Sequence, residues 1–375
     1  MQKRAELIHK TRRWIVKIGS SLLTQDGTGL DHVALAAWAD QIVRLRQAGI
    51  EIVLVSSGAV AEGMSQMGWK KRPKALFEKQ AAAAIGQMSL IHAYELNFYR
   101  HGFRAAQILL THDDLVNRRR YLNARNTLRT LVSLGVIPVV NENDTVAPEE
   151  IRFGDNDTLG AMVANLVDAE LLIILTDQQG LYNKDPRQFV DAEFISEGRA
   201  NEACLLEFAG GAGTSVGSGG MRTKILAARL AARSGCATLI ASGRIEGVLD
   251  KIKAGDNLGS LLLPDQVPLV ARKQWIASQL QSKGVLWLDE GATHAIQTTG
   301  RSLLPVGVVR VEGHFGRGEV VSCLSHEGCL FAKGLINYAS EDAGRIARHP
   351  SSEIEAILGY IDTPELIHRD NLVLL

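Results

Sequence analysis

The sequence predicts an α/β fold, a three-layer αβα sandwich on a mostly parallel sheet, followed by a smaller β-rich domain. Three observations carry this. Six short apolar runs rich in β-branched residues alternate with long helical patterns up to about residue 265. Polar and glycine residues gather where those runs end, and beyond residue 283 the pattern changes to short strand signals separated by glycine turns. Apolar strands joined by helices imply a parallel sheet covered on both faces, because each crossover lays a helix on the sheet.

The strands come in order as WIVKIG (14–19), EIVLVS (51–56), FRAAQILLT (103–111), VIPVVNEN (136–143), ELLIILTD (170–177) and CATLIAS (236–242). Between them lie helical stretches such as HVALAAWADQIVRLRQAG, ALFEKQAAAAIGQMSLIHAYELNFYR and TKILAARLAARSG. Ligands of such sheets bind beyond the carboxyl ends of the strands. That is where the chemistry of this sequence changes: IGSS follows Lys17, SSGAVAEG follows the second strand, NENDTV ends the fourth, and Thr176-Asp177 ends the fifth. Gly19, Gly58, Gly154 and the glycines of GSGGMRTK (217–224) bring backbone amides near an anion, and a helix start adds the positive end of its dipole. Alternatively, each glycine merely turns the chain. GSGGMRTK is not a Walker A loop, in which lysine directly follows the last glycine.

Composition bounds the function. The chain has 375 residues, is 46% hydrophobic and carries 41 basic against 41 acidic residues, so no global field draws it to nucleic acid or membrane. MQKRAELIHKTRRW has charge without a following apolar stretch, and no apolar run is long enough to span a bilayer, so a cytoplasmic enzyme without a membrane partner is expected. Cys204, Cys236, Cys323 and Cys329 show no CxxC spacing, and most are expected to be buried thiols.

Two lysines stand in unfavourable places. Lys17 closes an apolar strand, where its charge is desolvated unless it meets a partner, and Lys224 lies in the first turn of a helix, against the macrodipole. Two cations beside glycine-rich turns suit the spread-out negative charge of a transferring phosphoryl group. FGDNDTLG places Asp155, Asn156 and Asp157 at a helix start, with Asp144 upstream; capping requires one such residue, and a carboxylate near both lysines would hold their ammonium groups. Asn156 and Asp144 supply the neutral and negative contacts that a zwitterionic amino acid requires.

IVKIGSSLLT, VLVSSGAVAEGM, NARNTLRTLV, PVVNENDTV, FGDNDTL, LTDQQGLYNKDPR and GSGGMRTK, in this order, resemble the glutamate 5-kinases of the amino acid kinase family over nearly the whole chain. The resemblance implies the amino acid kinase fold, with ATP as co-substrate, Mg2+ accompanying it, and L-glutamate as the phosphoryl acceptor. It implies charge stabilisation by Lys17 and Lys224, with Asp157 orienting both. Ser57, Asp144 and Asn156 would contact glutamate. Thr176, Asp177 and the run Gly217, Ser218, Gly219, Gly220, Met221, Arg222, Thr223 and Lys224 would line the ATP site; Ser218 stands where relatives most often carry threonine. Feedback inhibition by proline, a homo-oligomer, and glutamate-5-semialdehyde dehydrogenase as recipient of the labile product are further implications. No general base is required, since a glutamate carboxyl with a pKa of about 4.3 is already ionised at neutral pH.

The expected domains are a kinase domain at 1–265, a linker with a short helix at 266–282, a β-rich domain at 283–361 and a tail at 362–375. GVLWLDEGATHAI, PVGVVRVEG, GEVVSCLS and LFAKGLINYAS supply its strand signals, and it resembles the PUA domain, an RNA-binding module in other proteins. Residues 271–375 hold ten basic against twelve acidic residues, which offers no electrostatic footprint for RNA. Cys323, His326 and Cys329 lack a fourth ligand at zinc spacing, and His368-Arg369-Asp370 imitates a kinase HRD loop by accident. Aspartate or acetylglutamate kinase activity, or an RNA-binding module with a degenerate kinase domain, are the alternatives.

Overall fold

The computed structural model describes residues 2–24, 29–147, 156–209, 220–265 and 282–375. The chain forms two compact units, residues 1–116 with 123–267, and residues 117–122 with 268–375.

The first unit is built on an eight-stranded sheet. Its strands are β1 (Arg13–Ile18), β2 (Glu51–Ser56), β3 (Ala105–Leu110), β4 (Ile137–Glu142), β5 (Leu171–Thr176), β8 (Glu197–Arg199), β9 (Ala237–Ser242) and β10 (Ser260–Leu263), in the order β3-β4-β2-β1-β5-β9-β10-β8; β6 (Leu181–Tyr182) and β7 (Phe194–Ile195) form a separate hairpin. The first six of that order run parallel; β10 turns antiparallel to β9 and β8 pairs parallel with β10. Every residue of β4, β5 and β9 is buried, as expected of strands covered on both faces.

Helices α1 (Gln2–Lys10), α2 (Ser20–Leu23), α3 (His32–Gln47), α4 (Ala59–Gln66), α5 (Leu76–Tyr99), α6 (His112–Val116), α7 (Arg118–Ser133), α8 (Asn156–Val167), α9 (Ala203–Phe208), α10 (Met221–Ala232) and α11 (Val248–Ala254) connect them. Trp14, Val16 and Ile18 of β1 join Leu35, Ile42, Tyr94, Phe98 and Leu249 of α3, α5 and α11 in one core. Strand side chains alternate between faces, so Lys17 points away from that core. It lies under α8: a Cβ on Gly160 would stand 3.7 Å from the Lys17 Cβ. Helix α8 thus packs directly over the lysine stem.

The second unit holds a five-stranded sheet, β12-β11-β13-β14-β15, made of β11 (Gly284–Leu288), β12 (Val308–Gly313), β13 (Val320–Leu324), β14 (Leu330–Leu335) and β15 (Leu372–Leu374). Leu286, Val308, Val321, Ile336, Tyr338, Ile346 and Ile367 share its core.

The structure differs from the sequence reading in particular places. The stretch read as strand over GVLWLDEGATHAI is strand only to Leu288; Glu290–Thr299 is a helix, started by the Asp289 side chain accepting from the Ala292 N–H at 2.6 Å. Residues 362–375, read as a tail, include β15, which pairs with β14. The HRD imitation is a short 3-10 turn in which His368 Nδ1 accepts from the Asp370 N–H. Of the cysteines, Cys236 and Cys323 are buried, Cys204 is half-buried and Cys329 is exposed, so burial holds for two of the four. The linker over 266–281 lies outside the described residues.

Candidate active site

The site forms at the carboxyl ends of β1, β2, β4 and β5, where α8 and α10 begin. Lys17 sits in β1 beside Val55 of β2 and Ile174 of β5. Asp157 lies in the first turn of α8 and is 0% exposed. Its Oδ1 is 2.6 Å from Lys17 Nζ, a close ion pair. Its Oδ2 accepts from Lys224 Nζ at 2.9 Å. Both lysine side chains are almost fully buried. Burial alone would push the Asp157 carboxyl up, but Lys17 and Lys224 together outweigh it and hold the group below its ordinary value. Asp157 is thus an anion shared by two cations brought from separate elements.

Lys224 owes its place to the start of α10. Gly220 precedes the helix in extended conformation, and the Thr223 hydroxyl lies 2.7 Å from the Gly220 carbonyl and 3.1 Å from Asp157 Oδ2. Having one proton, the hydroxyl donates to one oxygen at a time. Met221 is half-buried and Arg222 exposed. Gly217, Ser218 and Gly219, and Gly154 and Asp155 near α8, lie outside the described residues.

An amide cluster adjoins the ion trio. Asn156 Nδ2 faces Ser57 Oγ at 2.8 Å, Asn141 Oδ1 at 2.9 Å and the Ser56 carbonyl at 3.0 Å. Asn141 in turn donates from Nδ2 to Gln87 Oε1 at 2.8 Å. Asp144 follows in the turn after β4, half-buried. Thr176, buried at the end of β5, donates to Asp177 Oδ1 at 3.0 Å, with Asp177 exposed. Lys17, Asp157 and Lys224 therefore meet in one place, as do Ser57 and Asn156. Gln87 and the Asn141 side chain escaped the sequence reading: Asn141 stood inside NENDTV without a role, and Gln87, mid-helix in α5, has no local signal.

A buried carboxylate thus holds two lysines at the carboxyl edge of the parallel sheet, an arrangement that presents positive charge to an anion. The sequence pattern of the amino acid kinase family matches residues 12–242, and that of the PUA domain residues 284–358. The chain belongs to the amino acid kinase family. It is similar over its whole length to the glutamate 5-kinase of Thioalkalivibrio sulfidiphilus, 63% identical over 375 residues covering all of both chains. The glutamate 5-kinase of Stutzerimonas stutzeri is 61% identical over 97% of this chain and 98% of its own, and that of Nitrosococcus oceani 61% identical over 97% of each. No helix among the described residues is long and apolar enough to cross a membrane.

Proposed function

We propose that the chain transfers the γ-phosphoryl group of ATP to the γ-carboxylate of L-glutamate, forming L-glutamyl 5-phosphate, the first step of proline biosynthesis. The Lys17–Asp157–Lys224 arrangement carries this reading. A carboxylate oxygen of glutamate attacks the γ-phosphorus, the bond to the bridging oxygen breaks, and ADP leaves with that electron pair. The nucleophile is ionised at neutral pH, so the protein supplies alignment and positive charge. Lys17 and Lys224 stabilise the charge on the transferring group, and Asp157 keeps both ammonium groups aimed. Ser57, Asp144 and Asn156 hold the amino acid, while Thr176, Asp177 and residues 217–224 line the nucleotide site.

Mg2+ fits as a companion of the nucleotide. Among the described residues no group of three His, Cys, Asp or Glu side chains stands ready to hold a metal ion. Phosphate oxygens and water would supply most of its ligands, the usual arrangement for this cation, and it would neutralise phosphate charge. Proline as inhibitor, a homo-oligomer, transfer of the product to glutamate-5-semialdehyde dehydrogenase and a cytoplasmic location belong to the same proposal. For the PUA domain, its acidic balance favours a part in assembly over RNA binding.

The test is acyl phosphate formation, trapped with hydroxylamine, on glutamate, aspartate and N-acetylglutamate. Glutamate should be preferred by kcat/KM; preference for either other acid would overturn the assignment.

A further inference from the structure

The amide cluster has one orientation that its backbone anchors allow. The Ser56 carbonyl only accepts, so the Asn156 group facing it at 3.0 Å is the NH2. The Glu142 N–H only donates, so the Asn141 atom it meets at 2.9 Å is the carbonyl oxygen, which is also the atom that Asn156 Nδ2 meets. Asn141 therefore presents its NH2 to Gln87, and Gln87 must answer with Oε1. Two backbone groups thus settle three side-chain amides that would otherwise be free to flip.

Two consequences follow at the ends of this chain. Asn156 Nδ2 is committed to protein acceptors, and its Oδ1 accepts nothing from the described residues, leaving a neutral acceptor beside Ser57. Gln87 Nε2 is buried without a partner among the described residues, in a side chain 7% exposed. A buried orphan donor costs stability, so packing alone would favour an apolar residue of this length. Gln87 spends that cost on its single contact with Asn141.

We infer that Gln87 is a positioning residue for the amino-acid site: acting through Asn141, it locks Asn156 so that Oδ1 accepts from the α-ammonium group of the substrate. This rests on the glutamate reading above. The cluster is neutral and selects for the ammonium by hydrogen bonding, whereas the ion trio addresses the phosphoryl group.

Gln87→Met keeps the length and removes both amide atoms. In the full-length chain it should raise the KM for glutamate five- to tenfold, the loss expected for one hydrogen bond's worth of order, with kcat and the KM for ATP within about twofold. The inhibition constant of glutarate, which lacks the ammonium group, should stay within twofold, and the melting temperature should change little, because the Gln87 Nε2 orphan is removed while Asn141 Nδ2 loses its acceptor. On an Asn156→Ala background the same substitution should add nothing. An unchanged glutamate KM, a parallel loss for glutarate, full additivity with Asn156→Ala, or a fall in melting temperature with kcat would each overturn the inference. Wild-type chain inactive on glutamate but active on another acid would overturn the underlying reading and this inference with it.

Discussion

Asp157→Asn is the sharpest perturbation of the site, since it removes one charge and almost no volume. Lys17 and Lys224 bind opposite oxygens of this carboxylate at 2.6 and 2.9 Å, with side chains 7% and 6% exposed. Their ammonium groups then stand roughly 5–7 Å apart, and two like charges at that separation repel by about 3 kcal/mol at an effective dielectric near ~20. Loss of one member of a buried ion pair typically costs about 3–5 kcal/mol, in keeping with that figure. The variant relieves this by losing one lysine's charge or swinging it toward solvent, and either way a cation leaves the reacting group. Removing one such stabilising group lowers kcat by about 10²–10³. Hydroxamate formation at saturating ATP and glutamate measures this, and a kcat within threefold of wild type would refute the shared-anion argument. Stability adds an independent check. The folded Asp157 carboxyl lies below the ordinary aspartate value of 3.8, so its contribution is complete above that value and is lost as pH falls through the lower, folded one. The stability gap between wild type and Asp157→Asn should be flat above about pH 5 and shrink below about pH 4.

Lys224→Ala should lower kcat at least about a hundredfold while changing the glutamate KM far less, as steady-state kinetics will read; near-normal kcat with poor glutamate binding would remove its transition-state role. Asp144→Ala should raise the glutamate KM about tenfold or more and leave the ATP KM unchanged, whereas equal losses would mark the NENDTV loop as structural. Gly86→Ala would place a Cβ 1.9 Å from the Ala59 carbonyl oxygen where α5 crosses α4, and should cost at least about 1–3 kcal/mol in thermal denaturation. Gly344→Ala, with open space at the same atom, should be neutral or stabilising by up to about 1 kcal/mol. Thiol labelling of the native chain should reach Cys329 first and spare Cys236 and Cys323, whose thiols burial pushes up, that of Cys323 to about 12.

Legibility in the sequence followed local physics. Five of the six strands read from the sequence announced themselves because a parallel strand buried on both faces is a continuous apolar run, and β1, β2, β4, β5 and β9 are buried over nearly their whole length, whereas β3 at the sheet edge is only partly buried. The other edge was silent. β8 is Glu197–Arg199, with no apolar pattern, and is held by backbone pairing to the four-residue β10. Lys17 and Lys224 stood out because each was locally misplaced, yet nothing local states that they meet one carboxylate. Gln87 was wholly illegible: its partner lies 54 positions away, and a glutamine inside a helix violates no pattern.

The site divides recognition between ionic and neutral parts, and the fold explains the division. Lys17 and Asp157 face each other because a strand end and a helix start converge at the carboxyl edge of the sheet. Charges buried there require partners at short range, so this half is rigid by electrostatic necessity. The amide half has no such compulsion. Asn141 and Asn156 take their orientation because the Glu142 N–H and the Ser56 carbonyl offer one role each, and Gln87 holds Asn141 in it. In the proposed site Asn156 Oδ1 would add a neutral contact for the ammonium beside the negative one from Asp144, and so bring no further charge to compete with the phosphoryl group for Lys17 and Lys224.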